Sequence, residues 1–126
     1  MSAPVNPTVE QIKALAALEL DGPVRMVNLL RFADGGREHY ARYAREIAPI
    51  LDDIGARVVG AGLVETQVIG DGPRPWWDAI LTVEYPSVAA FLGMLRREDY
   101  GPVHEHRERA LERAELIATS LWQPGA

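Results

Sequence analysis

A chain of 126 residues, 48% apolar and 25% charged, has the length for one hydrophobic core and the composition of an ordinary globular protein, which excludes general disorder. Eighteen acidic against thirteen basic residues leave a formal charge of −5, so no diffuse positive field is present to attract nucleic acid or an anionic membrane. The absence of cysteine excludes disulfides, thiolate metal sites and thiol catalysis.

Residues 1–23 read as an N-terminal helical arm. They contain no basic region followed by an apolar run, and nowhere does an apolar stretch approach the roughly 20 residues that span a bilayer, so a cytoplasmic location is expected. Thr8-Val9-Glu10-Gln11 fits a capping box, and Val9, Ile12, Leu15 and Ala16 share a face, which predicts a short helix to about Leu20. Asp21-Gly22-Pro23 breaks it, and the β-branched run Val24 to Phe32 predicts the first strand. After the turn Ala33-Asp34-Gly35-Gly36, the spacing of Tyr40, Tyr43, Ala44, Ile47, Leu51 and Ile54 predicts a helix over Arg37 to Asp53. Pro49 should kink it or end it early, and Gly55 fits the position just past it.

Ala56 to Ile69 predicts a second strand, with Gly60 and Gly62 marking a bulge or the close approach of another backbone. Gly70 to Pro75 is a loop, and Trp76 to Glu84 completes a hairpin as the third strand. Pro86 suits the first turn of a helix running to about Arg97, with Val88, Phe91, Leu92 and Leu95 as its apolar stripe. Pro102 then opens a charged helix to about Arg113, and Leu116 to Trp122 is the last strand.

Strand, helix, strand, strand, helix pair, strand is the split βαβ order. It predicts an α+β, ferredoxin-like βαββαβ domain over 24–122 with an antiparallel sheet, followed by a tail at 123–126. The first strand carries apolar residues on both parities, Val27 and Leu29 against Met26 and Leu30. Helices can cover one sheet face, so a second subunit is expected on the other, as a homodimer.

Asn28-Leu29-Leu30-Arg31-Phe32, Tyr43, Gly62, Trp77-Asp78, Glu84-Tyr85-Pro86-Ser87, Tyr100, His106-Arg107 and Leu116-Ile117-Ala118-Thr119, in this order, resemble the bacterial domain of unknown function 1330. The resemblance covers roughly Val24 to Thr119 and implies the dimeric α/β-barrel superfamily. Similar barrels include cofactor-independent monooxygenases, polyketide cyclases, lactone isomerases and haem-handling proteins, so the resemblance implies a fold and a dimer more than a reaction. The arm is similar to an extension in a longer subset of such sequences and receives no catalytic role.

Asn28 is the polar residue among Val24, Met26, Leu30 and Phe32 on one strand parity; it either orients a substrate carbonyl or ties backbone together. A helical rotation places Arg107 mid-stripe with Val103, Ala110, Leu111 and Ala114, where a guanidinium needs an anionic ligand or an acidic partner such as Glu84 or Asp78. His104 and His106 flank that stripe on opposite sides. At i and i+2 they diverge by about 200° and cannot share a metal, so no metal site is expected. His106 is the candidate general base, with solvation or capping as its alternative role. Tyr43 and Tyr100 could aim phenols into one cavity, and Trp77 could pack as its wall; all three equally fit plain core packing. Arg31, Asp78 and Glu84 belong to the other sheet face, where they could pair across a dimer.

Gly60-Ala61-Gly62 lacks the following helix of a dinucleotide site, and no Gly-x-Ser-x-Gly elbow or zinc-binding helix motif occurs, so no cofactor is expected. The reading that follows is a small cofactor-independent enzyme, an isomerase, cyclase or monooxygenase, acting by proton transfer on a small carbonyl or aromatic metabolite. His106, Arg107 and Tyr43 are its catalytic candidates, and Asn28, Trp77 and Tyr100 would bind substrate. The alternatives are a non-catalytic small-molecule-binding protein and a haem-handling protein.

Overall fold

The computed structural model describes residues 4–72 and 76–126, and its sheet is built around β1 (Val24–Phe32). Antiparallel to β1 lie β3 (Ala79–Tyr85) on one side and β4 (Leu111–Thr119) on the other; β2 (Arg57–Leu63) pairs with β3, giving the order β2-β3-β1-β4. The helices are α1 (Val9–Ala16), α2 (Gly36–Ile54), α3 (Val88–Leu95) and α4 (Tyr100–Ala110). This is the α+β, ferredoxin-like arrangement that the order of elements predicts.

β1 sets the layers because its side chains alternate. Val24, Met26, Asn28 and Leu30 are buried toward the helices, and Arg25, Val27 and Leu29 face the other way. The main core joins Val24 and Met26 to Ile47, Ile50 and Leu51 of α2 and to Phe91 and Met94 of α3. A smaller cluster gathers Leu30, Ala79, Ala110, Leu111 and Ala114. Met26, Leu30, Met94 and Val24 are the largest of the fully buried side chains, and burial of side chains of this size stabilises by about 1.5–3 kcal/mol each. On the helix-free face, Val27, Thr82 and Ile117 are register neighbours, with Arg25, Glu84 and Thr119 one step along. Ile80 and Ile117 are 42% and 47% exposed there.

The differences from the sequence reading have local causes. The α1 capping box forms, but α1 ends at Ala16 rather than near Leu20. α2 runs through Pro49 without ending: the ring sits on an exposed position, while Ile47, Ile50 and Leu51 are buried around it. Gly55, at φ 77°, then closes the helix. The irregularity in β2 is a bulge at Val59, between Val58 and Gly60; among the described residues nothing occupies the space that a Cβ would take at Gly60 or Gly62, whose backbones meet only ordinary sheet pairing with β3. Pro86 lies ahead of α3, which is capped instead by Ser87, whose Oγ accepts from the Ala90 amide at 3.0 Å. Pro73, Arg74 and Pro75 of the expected loop lie outside the described residues, and β3 starts at Ala79, two residues after Trp77.

The largest difference is the junction of α4 and β4. Glu112 and Arg113 favour a helix, yet Leu111 is already extended and opposite Phe32, while Ala33 donates to the Ala110 carbonyl at 2.9 Å. Sheet pairing with β1 outweighs the local preference. Gly36 starts α2 directly against that junction, and a Cβ on it would collide with the Ala110 carbonyl oxygen. Among the described residues no helix is long and apolar enough to cross a membrane.

Candidate functional site

Between the inner sheet face and the helices lies a cavity of about 710 Å³, roofed by the arm and α1. Its floor includes Met26, Asn28, Leu81 and Val83; its walls include Tyr40, Tyr43 and Ile47 of α2 and Phe91 and Met94 of α3. Tyr100, His104 and Arg107 enter from α4. These three lie on one helical stripe because their spacings of four and three residues return to the same face. Leu18 and Leu116, also in the lining, are 48% and 43% exposed, which places the mouth between the end of α1 and the β4 edge. The lining is mostly aliphatic and aromatic, with few polar groups, as in sites that take small organic ligands.

Arg107 is 7% exposed, and its Nη1 donates to the Val5 carbonyl at 2.8 Å. Among the described residues no carboxylate pairs with it. Glu84 is held by Arg25 and Arg57 on the other sheet face, at 2.9 and 3.2 Å, and Asp78 accepts from the Phe32 amide at 2.8 Å; neither is the partner expected for Arg107. Arg31 also pairs within the chain, with Glu112 at 3.2 Å.

Around the guanidinium stand four phenols. Burial pushes Tyr40, Tyr43, Tyr85 and Tyr100 above the ordinary 10, and the Arg107 charge partly offsets this for each. Among the described residues the hydroxyls of Tyr40, Tyr43 and Tyr85 have no hydrogen-bond partner. Asn28 gives its Nδ2 to the Leu81 carbonyl at 3.2 Å, so its amide ties β1 to β3 while Oδ1 remains an acceptor for the cavity. A cation, several donors and one acceptor thus converge on an apolar space.

Beside them runs a second set of contacts. The Tyr100 hydroxyl lies 3.1 Å from His104 Nδ1, and the two rings stack at 5.2 Å. His104 Nε2 lies 2.7 Å from Asn6 Oδ1, and Asn6 Nδ2 donates to Glu108 Oε2 at 2.9 Å. Burial lowers the His104 pKa below the ordinary 6.5; Arg107 adds to the shift and Glu108 opposes it. The imidazole is therefore neutral near pH 7 and has a base nitrogen to offer.

Asn28, Tyr43, Tyr100 and Arg107, all singled out in the sequence, line this one cavity. His106 and Trp77 do not. His106 is on the opposite flank of α4, with Nε2 3.2 Å from Glu46 Oε2 and a buried Nδ1 that has no partner among the described residues. His106 therefore does not join Asn28 in the lining of this cavity. Trp77 lies beyond the strand end, 6.0 Å from the Arg113 guanidinium, as a cation–π contact rather than a cavity wall. The sequence points to none of Tyr40, Tyr85 and Asn6 as site residues, and to His104 only as a metal ligand that its spacing from His106 excludes. Tyr40 belongs to the α2 stripe and Tyr85 to the family pattern, but neither periodicity nor spacing points to Asn6.

A family profile described as Domain of unknown function (DUF1330) matches residues 29–121. Among solved structures, methylated RPA0582 is 35% identical with a TM-score of 0.89, covering 100% of both chains. A second crystal structure of RPA0582, a protein of unknown function from Rhodopseudomonas palustris, is 34% identical with a TM-score of 0.87, covering 98% of this chain and 100% of that one. A dimeric protein of unknown function and ferredoxin-like fold from Bacteroides fragilis NCTC 9343 has a TM-score of 0.56 at 11% identity, over 79% and 96% of the two chains, and shares the fold alone. No curated protein matches the chain.

Proposed function

The chain belongs to the DUF1330 family, a domain of unknown function, and for this member we propose a cofactor-independent enzyme that moves a proton on a small, largely apolar carboxylate or enolisable carbonyl compound. The observation that carries the reading is Arg107, a buried guanidinium without a carboxylate partner among the described residues, at the head of an apolar cavity. A ligand oxyanion would supply that partner, with the Tyr40 and Tyr43 hydroxyls as further donors. Tyr100 would accept a proton from the carbon next to the carbonyl while passing its own to His104 Nδ1. The enolate formed would rest against Arg107, and the returning proton would complete an isomerisation or an exchange. This assigns to Tyr100 and His104 the role that the sequence offered to His106.

The test uses phenylpyruvate, which joins a carboxylate, an enolisable carbonyl and an aromatic ring. Thermal stabilisation by phenylpyruvate, with exchange of its methylene hydrogens into heavy water faster than in buffer, is the expected result. Stabilisation without accelerated exchange would move the protein to the non-catalytic binding class; neither effect, here or with other aromatic carboxylates, would overturn the reading. Haem fits this site poorly, because both ring nitrogens of His104 are engaged, by Tyr100 and by Asn6.

We also propose that the helix-free sheet face pairs with a second copy. Support comes from the exposed Ile80 and Ile117 on that face and from the dimeric Bacteroides fragilis protein of the same fold. Light scattering at low micromolar concentration checks it; a monomer would refute it.

A further inference from the structure

We propose that Asn6, on the N-terminal arm, is a positioning residue that keeps the proton of His104 on Nε2 and so leaves Nδ1 as the lone pair facing Tyr100. The inference rests on the proton-transfer role proposed for Tyr100 and His104, and it gives the arm a part in the chemistry that the sequence did not assign to it.

The argument follows donors and acceptors inward from the surface. A carboxylate only accepts hydrogen bonds, so the group Asn6 turns toward Glu108 must be its Nδ2, at 2.9 Å. The amide therefore cannot be flipped without loss, and Oδ1 faces His104 Nε2 at 2.7 Å. That oxygen also only accepts, so Nε2 carries the hydrogen. Neutral imidazole has one N–H, which leaves Nδ1 as an acceptor, and the Tyr100 hydroxyl at 3.1 Å donates to it. A carboxylate near the surface thus fixes the protonation pattern inside the cavity through three successive hydrogen bonds.

His104 and Glu108 are four residues apart on α4, one helical turn, which is the span a single carboxamide can bridge. The two residues before Asn6 hold the arm to the same region. Val5 gives its carbonyl to Arg107 Nη1 at 2.8 Å, and Pro4 accepts from the Ala114 amide at 3.0 Å. Seating the arm and orienting the imidazole are consequently one event. Asn6 precedes residues 29–121, so the site draws a component from outside the segment the family profile matches.

The test is NMR on the whole ¹⁵N-labelled protein. In wild type, His104 should show a slowly exchanging hydrogen on Nε2. Asn6→Ala should lose that protected signal, while the double variant Asn6→Asp/Glu108→Gln, which reverses donor and acceptor but leaves an oxygen toward His104, should retain it. With phenylpyruvate as probe, Asn6→Ala should slow methylene exchange several-fold while the dissociation constant stays within about twofold, and the double variant should restore the rate. Protection of the Ala114 amide reports whether the arm is still seated; if Asn6→Ala releases it, the wild type and the double variant decide alone. A hydrogen on Nδ1 in wild type, an unchanged Nε2 signal in Asn6→Ala, or its loss in the double variant would overturn the inference. The spectrum needs no ligand, so inactivity toward phenylpyruvate would count against the proposed function and not against the role of Asn6.

Discussion

The Arg107 side chain reaches back 102 residues to donate to the Val5 carbonyl at 2.8 Å, and this bond joins the last helix to the arm. A neutral carbonyl leaves the positive charge uncompensated in a largely apolar space, a state that costs free energy until an anion arrives. Arg107→Met should therefore leave the ligand-free protein about as stable as wild type or slightly more stable, while weakening an aromatic carboxylate by about 1.5–3 kcal/mol, the scale of a charge-assisted hydrogen bond. Arg107→Lys should recover only part of the affinity, because an ammonium lacks the planar fork. Thermal denaturation and calorimetric titration check the two arms. A strong loss of stability in Arg107→Met without loss of affinity would show the residue to be structural.

Tyr100 offers a sharper separation of binding from chemistry. Tyr100→Phe preserves the ring stacked on His104 and removes only the hydroxyl that meets Nδ1. Proton exchange on phenylpyruvate should fall by about 10²–10⁴-fold, the usual contribution of a positioned acid or base, with little change in binding. His106→Gln should leave exchange unchanged, because His106 meets Glu46 on the far side of α4.

Comparison of the two histidines shows where the sequence stops being legible. Strand and helix periods place Arg107 on an inward stripe and set His104 and His106 on its two flanks, which is what the structure contains. Which flank meets the cavity depends on where α2 crosses α4, a tertiary fact set by the small Gly36 against Ala110, and no period encodes it. The α4–β4 junction was hidden for a similar reason: Glu112 and Arg113 prefer helix locally, and only the pairing of Leu111 with Phe32 reverses that. Asn6 was invisible because its partners lie about a hundred residues away. β1 could be read fully, since its alternation alone sorts Val24, Met26, Asn28 and Leu30 to one side.

Stability should decline in two steps on acidification. His104 has a folded pKa below the ordinary 6.5, so the unfolded chain binds its proton first; stability is full above 6.5 and falls as the pH drops toward the lowered value. Glu84, lowered chiefly by its hydrogen bond to Arg25, and Asp99, lowered by Arg97, contribute stability above their ordinary 4.5 and 3.8 that is lost as the pH falls further. At the alkaline end the raised phenols act in the opposite sense, and stability falls as the pH rises past 10. Melting temperature against pH should show the first acidic step in wild type and lack it in His104→Gln, with the later carboxylate step unchanged in both.

The helix-free face makes a prediction about assembly that leaves the fold intact. Ile117 is 47% exposed and belongs to no buried cluster, so Ile117→Glu should cost little stability within one chain. Beside Val27 and Thr82 in the register, a buried carboxylate in a paired face would have no partner, and self-association should weaken by several kcal/mol. Sedimentation of the variant at several concentrations checks this. An unchanged oligomeric state would place the interface elsewhere.

Gly36 tests the packing on which the cavity depends. It begins α2 where the helix meets the end of α4, and a methyl group there would run into the Ala110 carbonyl oxygen, backbone that has no rotamer by which to move aside. That carbonyl is also fixed by the hydrogen bond from Ala33 at 2.9 Å, so relief requires α2 and α4 to separate. Gly36→Ala should destabilise by about 2–3 kcal/mol, at the upper end for overpacking by one methyl, even though alanine is the better helix former. Because Tyr40 and Tyr43 follow on the first turns of α2 and Arg107 precedes Ala110 on α4, the same shift should part the phenols from the guanidinium. Affinity for an aromatic carboxylate should therefore fall along with the melting temperature. The control is Gly93→Ala on α3, where space is open and φ is not positive: it should leave both unchanged or raise stability slightly.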